Sequence, residues 1–213
     1  MVDAEWRLRA QTALEDRCAA FADRPEGRRV FDELNPDIAG TRPYARDKLK
    51  KAAVLAPIVM RSPEPTVLLT VRTADMPSHP GQISLPGGRI QAEDAGPVEA
   101  ALRETWEETG IHPDFVTPIG ALEIHEGGMG YSVTPVVGLV QEGFTLSLCE
   151  REVSAAFEVP LSHVLDADRY SVESRFVSGR QARFRCIVHE ERQIWGLTAT
   201  ILHSLQDALL GVA

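Results

Sequence analysis

A chain of 213 residues with 44% hydrophobic content can bury a sizeable core and most economically forms one α/β domain, with room for an N-terminal appendage. Its 22 Lys+Arg against 31 Asp+Glu leave a net charge of −9, which excludes a broad polyphosphate-binding surface and general nucleic-acid binding; an anionic ligand would need cations as mediators. Cys18, Cys149 and Cys186 are odd in number and far apart, unlike a zinc site or a disulfide framework, and read as reduced thiols of a cytoplasmic protein.

The N-terminus carries Asp3, Glu5, Arg7 and Arg9 where a signal peptide would begin its apolar stretch, and the plain apolar run at 52–60 contains Pro57 and is far too short to span a membrane. Residues 4–22 set Trp6, Leu8, Leu14, Cys18, Ala19 and Phe21 among charges without Pro or Gly, which predicts an amphipathic helix ended near Arg24-Pro25. Residues 27–51 are polar and Pro-punctuated, a connector rather than a core element. Residues 1–48 are therefore expected to form a helical extension and connector, and 49–213 the catalytic domain.

The β-branched runs at 52–60 and 66–71, separated by Ser62-Pro63-Glu64-Pro65, read as two buried strands joined by a turn. Residues 73–96 hold Pro77, Pro80, Gly81, Pro86, Gly87, Gly88 and Gly96, a loop too long to be idle in a compact domain. Pro97 to Thr109 has a proline at its first position and Gly110 at its end, the punctuation of a helix. Val98, Ala101, Leu102, Thr105 and Thr109 share one face of that helix, expected to pack inward. Strand-like segments follow at about 115–125, 131–141, 172–177 and 182–189, and an amphipathic helix at 195–210. Repeats and low-complexity tracts are absent.

Glu104, Glu107 and Glu108 stand at i, i+3 and i+4, so their side chains converge beside the apolar face. Two like charges about 4 Å apart repel by on the order of 4 kcal/mol at an effective dielectric near 20. A partly buried trio therefore calls for a proton or a cation, and hard divalent ions bridge a few carboxylates to substrate phosphates. Arg103 is placed to orient the carboxylates from behind. Upstream, Leu85-Pro86-Gly87-Gly88 lets backbone approach a phosphate or metal closely, a preface that a plain solvated Glu-rich helix does not need.

Gly88, Asp94 and the run Arg103-Glu104-Thr105-Trp106-Glu107-Glu108-Thr109-Gly110-Ile111 resemble a Nudix box, with Asp94 in place of the usual Glu and one extra residue before Arg103. The resemblance implies an α/β Nudix fold, a mixed β-sheet sandwiched between α-helices, and hydrolysis of a nucleoside diphosphate linked to another moiety with Mg²⁺ or Mn²⁺. Carried over by position, Glu104 and Glu108 are implied metal ligands, with Glu107 and the Gly88 carbonyl completing the set. Gly87 and Gly88 are implied to approach the substrate, and Arg103 and Glu104 to belong to the catalytic machinery. Cations held there neutralise diphosphate oxygens, polarise phosphorus and lower the pKa of a water whose proton a further carboxylate takes.

The segment Leu68 to Gly88 is similar to the signature of coenzyme A pyrophosphatases within that family. It departs at Thr73, at Pro77 (where a second Arg is expected) and at Leu85, which replaces Phe. The resemblance continues through Gly130 to Gly138, Glu152-Val153 with Phe157 to Leu161, and Ile194 to Ala199. It implies cleavage of coenzyme A or its derivatives to adenosine 3′,5′-bisphosphate and 4′-phosphopantetheine. A nucleotide sugar, a dinucleotide or a nucleoside triphosphate is the alternative substrate, and a non-catalytic nucleotide-sensing module the alternative class. The partner is then a small nucleotide, with neither nucleic acid nor membrane, and a homodimer is common in the group.

Several residues keep two readings. Glu152 is a general base or outer metal ligand on a short helix aimed at the metal site, or a surface cap. Arg72 pairs with a substrate phosphate through its guanidinium, or is an ordinary strand-end arginine. His79 and His125 read as loop histidines without chemistry, since neither has a partner at metal-ligand spacing. Trp106 and Trp195 fall on helical segments and read as core or interface packing rather than adenine stacking.

Overall fold

Alternation decides the central strands. In β1 (Lys50–Val59), Ala52, Ala56 and Ile58 point to one face of a sheet while Ala53, Leu55 and Val59 point to the other, and both sets are buried. A strand buried on both sides needs a layer over each. The computed structural model, which describes residues 6, 8–14, 27–39, 44–75, 80–127, 130–177 and 179–210, supplies them.

β1 turns through 60–65 into β2 (Thr66–Arg72), antiparallel to it, as the two-strand reading expects. The sheet runs β3 (Ile83–Ser84), β2, β1, β7 (Tyr131–Val140), β5 (Val116–Ala121), with β4 (Gly87–Arg89) added to β1, β6 (His125–Glu126) to β7 and β8 (Val153–Pro160) to β2. β1 and β7 are parallel over their whole length and the other pairings antiparallel, so the sheet is mixed. Two short strands inside 73–96 correct the expectation of an irregular loop. Edge pairing with β1 and β2 orders that segment, a long-range effect invisible to local punctuation.

Helix α3 (Pro97–Thr109) lies over one face, where Ala100, Ala101 and Ile111 meet Leu55, Val59 and Val136. The observed buried stripe is Ala100, Ala101, Thr105, Glu108 and Thr109; Val98, assigned to the inward face, is exposed. The helix is therefore rotated so that small residues sit on the sheet and Glu108 goes in with them. Gly110, at φ 78°, ends it in the left-handed conformation that glycine adopts without strain.

The other face carries α1 (residues 8–14), α4 (Leu161–Leu165) and α5 (Leu197–Leu209), whose Leu202, Leu205 and Leu209 join Ile58, Leu69 and Val137 in the larger core. Trp6, Ala10 and Leu14 enter the same core. A second, three-stranded antiparallel sheet follows the order β11 (Arg192–Trp195), β10 (Arg180–His189), β9 (Tyr170–Val177). Trp195 thus closes a strand rather than opening a helix; it packs on Phe184 and under the Arg175 guanidinium.

Residues 27–39, expected as a connector, hold α2 (Val30–Leu34), and Asn35 clasps the Arg183 backbone by donating from Nδ2 to its carbonyl at 2.9 Å and accepting its N–H at 2.6 Å. No helix among the described residues is long and apolar enough to cross a membrane.

Candidate active site

Three pieces of chain meet at the exposed flank of α3. The first is the β4 edge. Gly87 and Gly88 pair with Val54 and Ala53, and a Cβ on Gly87, whose φ is 152°, would run into the Ala53 carbonyl and Val54 Cα. A Cβ on Gly88 would overlap the Glu104 carboxylate. Glycine at 88 is what lets that carboxylate lie against the β4 backbone. The Gly87 N–H donates to Glu108 Oε2 at 3.2 Å.

The second piece is α3 itself, which does not treat its glutamates alike. Glu108 is buried, the Glu104 side chain nearly so, and Glu107 points to solvent. Burial drives the Glu108 carboxyl up to about 7; the Gly87 N–H and Arg72 pull it down, while Glu104 and Glu152 push it further up. Glu104 is also raised, again by burial first, against the pull of Arg103 and with Glu107 and Glu152 adding repulsion. Among the described residues no set of three acidic, histidine or cysteine side chains already converges at metal-ligand spacing. Arg103 bridges two of the glutamates: its Nη1 donates to Glu104 at 2.9 Å and to Glu107 at 3.1 Å while its fork grips Asp94 with two bonds of 2.9 Å. Asp94 thereby finds its role as the anchor of Arg103, which in turn holds its carboxyl below the usual range.

The third piece joins the end of α3 to β8. Ser147 and Cys149 donate their N–H groups to the Thr109 and Glu108 carbonyls at 2.8 and 3.0 Å, satisfying acceptors that a helix end leaves open. The Cys149 carbonyl then accepts from Glu152 and Val153, at 2.8 and 2.9 Å, in a tight turn. Glu152 therefore sits in a turn rather than on the short helix expected for it, because β8 begins at Val153 and pairing with β2 takes over. It stands close enough to repel both Glu104 and Glu108.

Arg72 ends β2 at a bulge, where pairing skips from Val71–Ala155 to Arg72–Val153 and the Ser154 hydroxyl donates to the Val71 carbonyl. Bulges re-aim side chains beside functional sites. Arg72 acts electrostatically on Glu108, and its Nε is buried without a hydrogen-bond partner among the described residues. The structure so brings Arg72, Gly87, Gly88, Arg103, Glu104, Glu108 and Glu152 into one neighbourhood and leaves Glu107 at its rim. His79 and Pro77 lie outside the described residues.

Trp106 is half-exposed, edge-on to His112 at 5.0 Å between ring centroids, which excludes the core half of its core-or-interface reading. His125 is a buried strand residue on β6, not a loop histidine.

The donor set can be tested against a divalent cation on its chemistry. A buried and a partly buried carboxylate that repel each other, a third at the rim, Glu152 acting on both and a glycine backbone offer hard oxygen donors and little else, which suits Mg²⁺-like ions. The residues fit.

A model of the NUDIX domain matches residues 49–178. The chain belongs to the Nudix family. Nudix relatives agree over most of their length. The uncharacterized Nudix hydrolase NudL of Photorhabdus laumondii is 42% identical over 159 residues, 75% of this chain and 84% of that one. Its namesake from Salmonella paratyphi B is 40% identical over 156 residues, 73% and 81% of the two chains. A MutT/nudix family protein from Enterococcus faecalis, 15% identical, shares the fold with a TM-score of 0.50 over 92% of this chain and 74% of that one. The protein is a Nudix pyrophosphohydrolase acting on small molecules, in a family that generally uses divalent metal ions.

Proposed function

We propose that this Nudix hydrolase cleaves the diphosphate of coenzyme A or a derivative, giving adenosine 3′,5′-bisphosphate and 4′-phosphopantetheine, with Mg²⁺ or Mn²⁺ held by Glu104, Glu108, Glu107 and the Gly88 carbonyl. The observation that carries the catalytic part is Glu108, a buried carboxylate repelled by Glu104 and Glu152 and only partly offset by the charge of Arg72, whose buried Nε has no hydrogen-bond partner among the described residues. Such a group stores repulsion that a cation relieves. A bound divalent ion would neutralise diphosphate oxygens and polarise phosphorus. Arg72 pairs its guanidinium with phosphate oxygens, Glu152 takes the proton of the attacking water, and Arg103, anchored on Asp94, keeps Glu104 oriented. Residues 49–213 carry the reaction and residues 1–48 form the extension.

The coenzyme A assignment rests on the segment Leu68 to Gly88. Pro77, where its signature has a second Arg, favours a second reading, a Nudix hydrolase for a nucleotide sugar, a dinucleotide or a nucleoside triphosphate. Product analysis on coenzyme A, ADP-ribose, diadenosine polyphosphates and dNTPs, each with Mg²⁺ and Mn²⁺, separates them. Coenzyme A should give the two named products with the highest kcat/KM. Preferred turnover of another member would transfer the assignment to it, and no turnover on any would leave a sensing module.

A further inference from the structure

β9 ends the three-stranded sheet, and among the described residues no strand lies on its outer side. Edge strands are usually blunted by charged side chains, proline or a bulge. β9, Tyr-Ser-Val-Glu-Ser-Arg-Phe-Val, has neither proline nor bulge and runs in unbroken register with β10. Its two charges are of opposite sign and partly engaged within the chain, Glu173 accepting from Gln193 at 2.6 Å and Arg175 lying over Trp195 and 3.7 Å from Glu173.

The direction of its main-chain groups follows from β10. Arg183 directs both its N–H and its carbonyl to Asn35, and the Arg185 carbonyl accepts from Gly196 at 3.0 Å, so both residues face away from β9. Their opposite numbers in the antiparallel ladder, Ser174 and Val172, then face away from β10, as does Phe176 by alternation. All three present N–H and C=O to the open edge.

The side chains around Ser174 are self-complementary. An antiparallel copy with Ser174 opposite Ser174 sets Val172 against Phe176 on one face and Glu173 against Arg175 on the other. Val172 and Phe176 are large apolar residues left 48% and 78% exposed. Each would gain the other as cover, and opposite charges facing across strands add to the pairing.

We infer that β9 is a homodimer interface, pairing edge to edge with the β9 of a second copy about a two-fold axis through Ser174. The three paired positions exchange about six main-chain hydrogen bonds, and the two sheets become one continuous sheet. The contact is narrow, of the size class that associates reversibly with concentration. It is independent of the substrate assignment, since no residue of the candidate active site lies on β9.

The test is sedimentation velocity of the full chain over a wide concentration series. The wild type should shift from monomer to dimer. Glu173→Arg and Arg175→Glu should each sediment as monomer, because each sets like charges across the axis, while an equimolar mixture of the two should recover the dimer. Phe176→Lys, at an exposed position, should also abolish it and serves if a charge variant fails to fold. Ser174→Cys should form a disulfide-linked dimer under mild oxidation where the wild type does not, since Cα atoms about 5.5 Å apart in such a pair lie within disulfide reach. A wild type that stays monomeric throughout would overturn the inference. So would a dimer indifferent to Phe176→Lys and not cross-linked in Ser174→Cys.

Discussion

Two clusters of glutamates are drawn out of water on opposite faces of the main sheet, and the chain treats them in opposite ways. Under α5, Glu123 accepts from Arg28 at 2.8 Å and from the Ser204 hydroxyl at 3.3 Å, and Glu126 is paired with Arg29. On the α3 side, Glu108 has one backbone N–H and a guanidinium acting at a distance, and two further carboxylates face it. In the first cluster both glutamates are paired, although the buried His125 Nδ1 beside them has no partner among the described residues, and the cluster holds residues 27–29 onto β6, with the Arg28 N–H donating to the Ile124 carbonyl at 2.7 Å. The second is short of positive charge, with Arg72 and Arg103 set against Asp94, Glu104, Glu107, Glu108 and Glu152. A buried charge is tolerated when paired, and an incompletely paired one in a cleft marks a site that a ligand completes.

Neutralising one member from each cluster gives the largest contrast. Glu108→Gln and Glu104→Gln should each lower turnover by orders of magnitude while leaving the metal-free protein as stable as the wild type or more so, because each removes repulsion. Mg²⁺ should raise the wild-type melting temperature and leave that of Glu108→Gln nearly unmoved. Glu123→Gln should do the reverse, keeping turnover near wild type and losing stability. Turnover of Glu108→Gln within a few-fold of wild type would remove Glu108 from the metal site.

A smaller effect comes from taking away the cation of the paired cluster. Arg28→Met leaves Glu123 buried without its main partner, and unfolding by denaturant should show a loss of about 2 kcal/mol, a figure reduced from that of a fully buried pair because the Arg28 side chain is partly exposed. Arg72→Met makes the matching deletion on the other side. It should cost little stability, since Glu108 holds its proton near neutrality, and should appear as a raised KM. A large stability loss in Arg72→Met would mean that the α3 cluster is a structural ion pair after all.

The two clusters also differed in how far the sequence revealed them. α3 was legible to the residue, because a proline start, a glycine stop and the glutamate spacing are all local. The identity of the buried glutamate was not, since it depends on how small residues at 100 and 101 rotate the helix on the sheet. Glu152 was placed near the site but on the wrong element: its turn is made by bonds to Cys149 and by β2–β8 pairing, contacts that join distant parts of the chain. The Arg28–Glu123–His125–Ser204 group left no local mark at all. Its members come from a segment that reads as a connector, from the turn between β5 and β6, from β6 and from α5, and only the folded chain puts them together.

Acid titration should show the least net effect in the wild type, because the clusters have opposite signs. Glu108, raised to about 7 from an unfolded value of 4.5, keeps a proton in the fold that the unfolded chain releases, so its contribution is full below about 4.5 and is lost as pH rises toward 7. His125 is lowered to about 4 from 6.5, first by burial and then by Arg28, against the pull of Glu123 and Glu33. The unfolded chain takes up that proton sooner, so its contribution is full above about 6.5 and is lost as pH falls toward 4. Between those limits each group can tilt stability by at most about 1.4 kcal/mol per pH unit, and the two tilts oppose. Denaturant unfolding in chelator across this window should therefore separate them by subtraction. The difference between wild type and Glu108→Gln should fall with rising pH and vanish from the data when Mg²⁺ replaces the chelator. The difference between wild type and His125→Gln should rise with pH and ignore Mg²⁺. Two parallel difference curves would show that the buried charge on the α3 side is no more open than the one under α5.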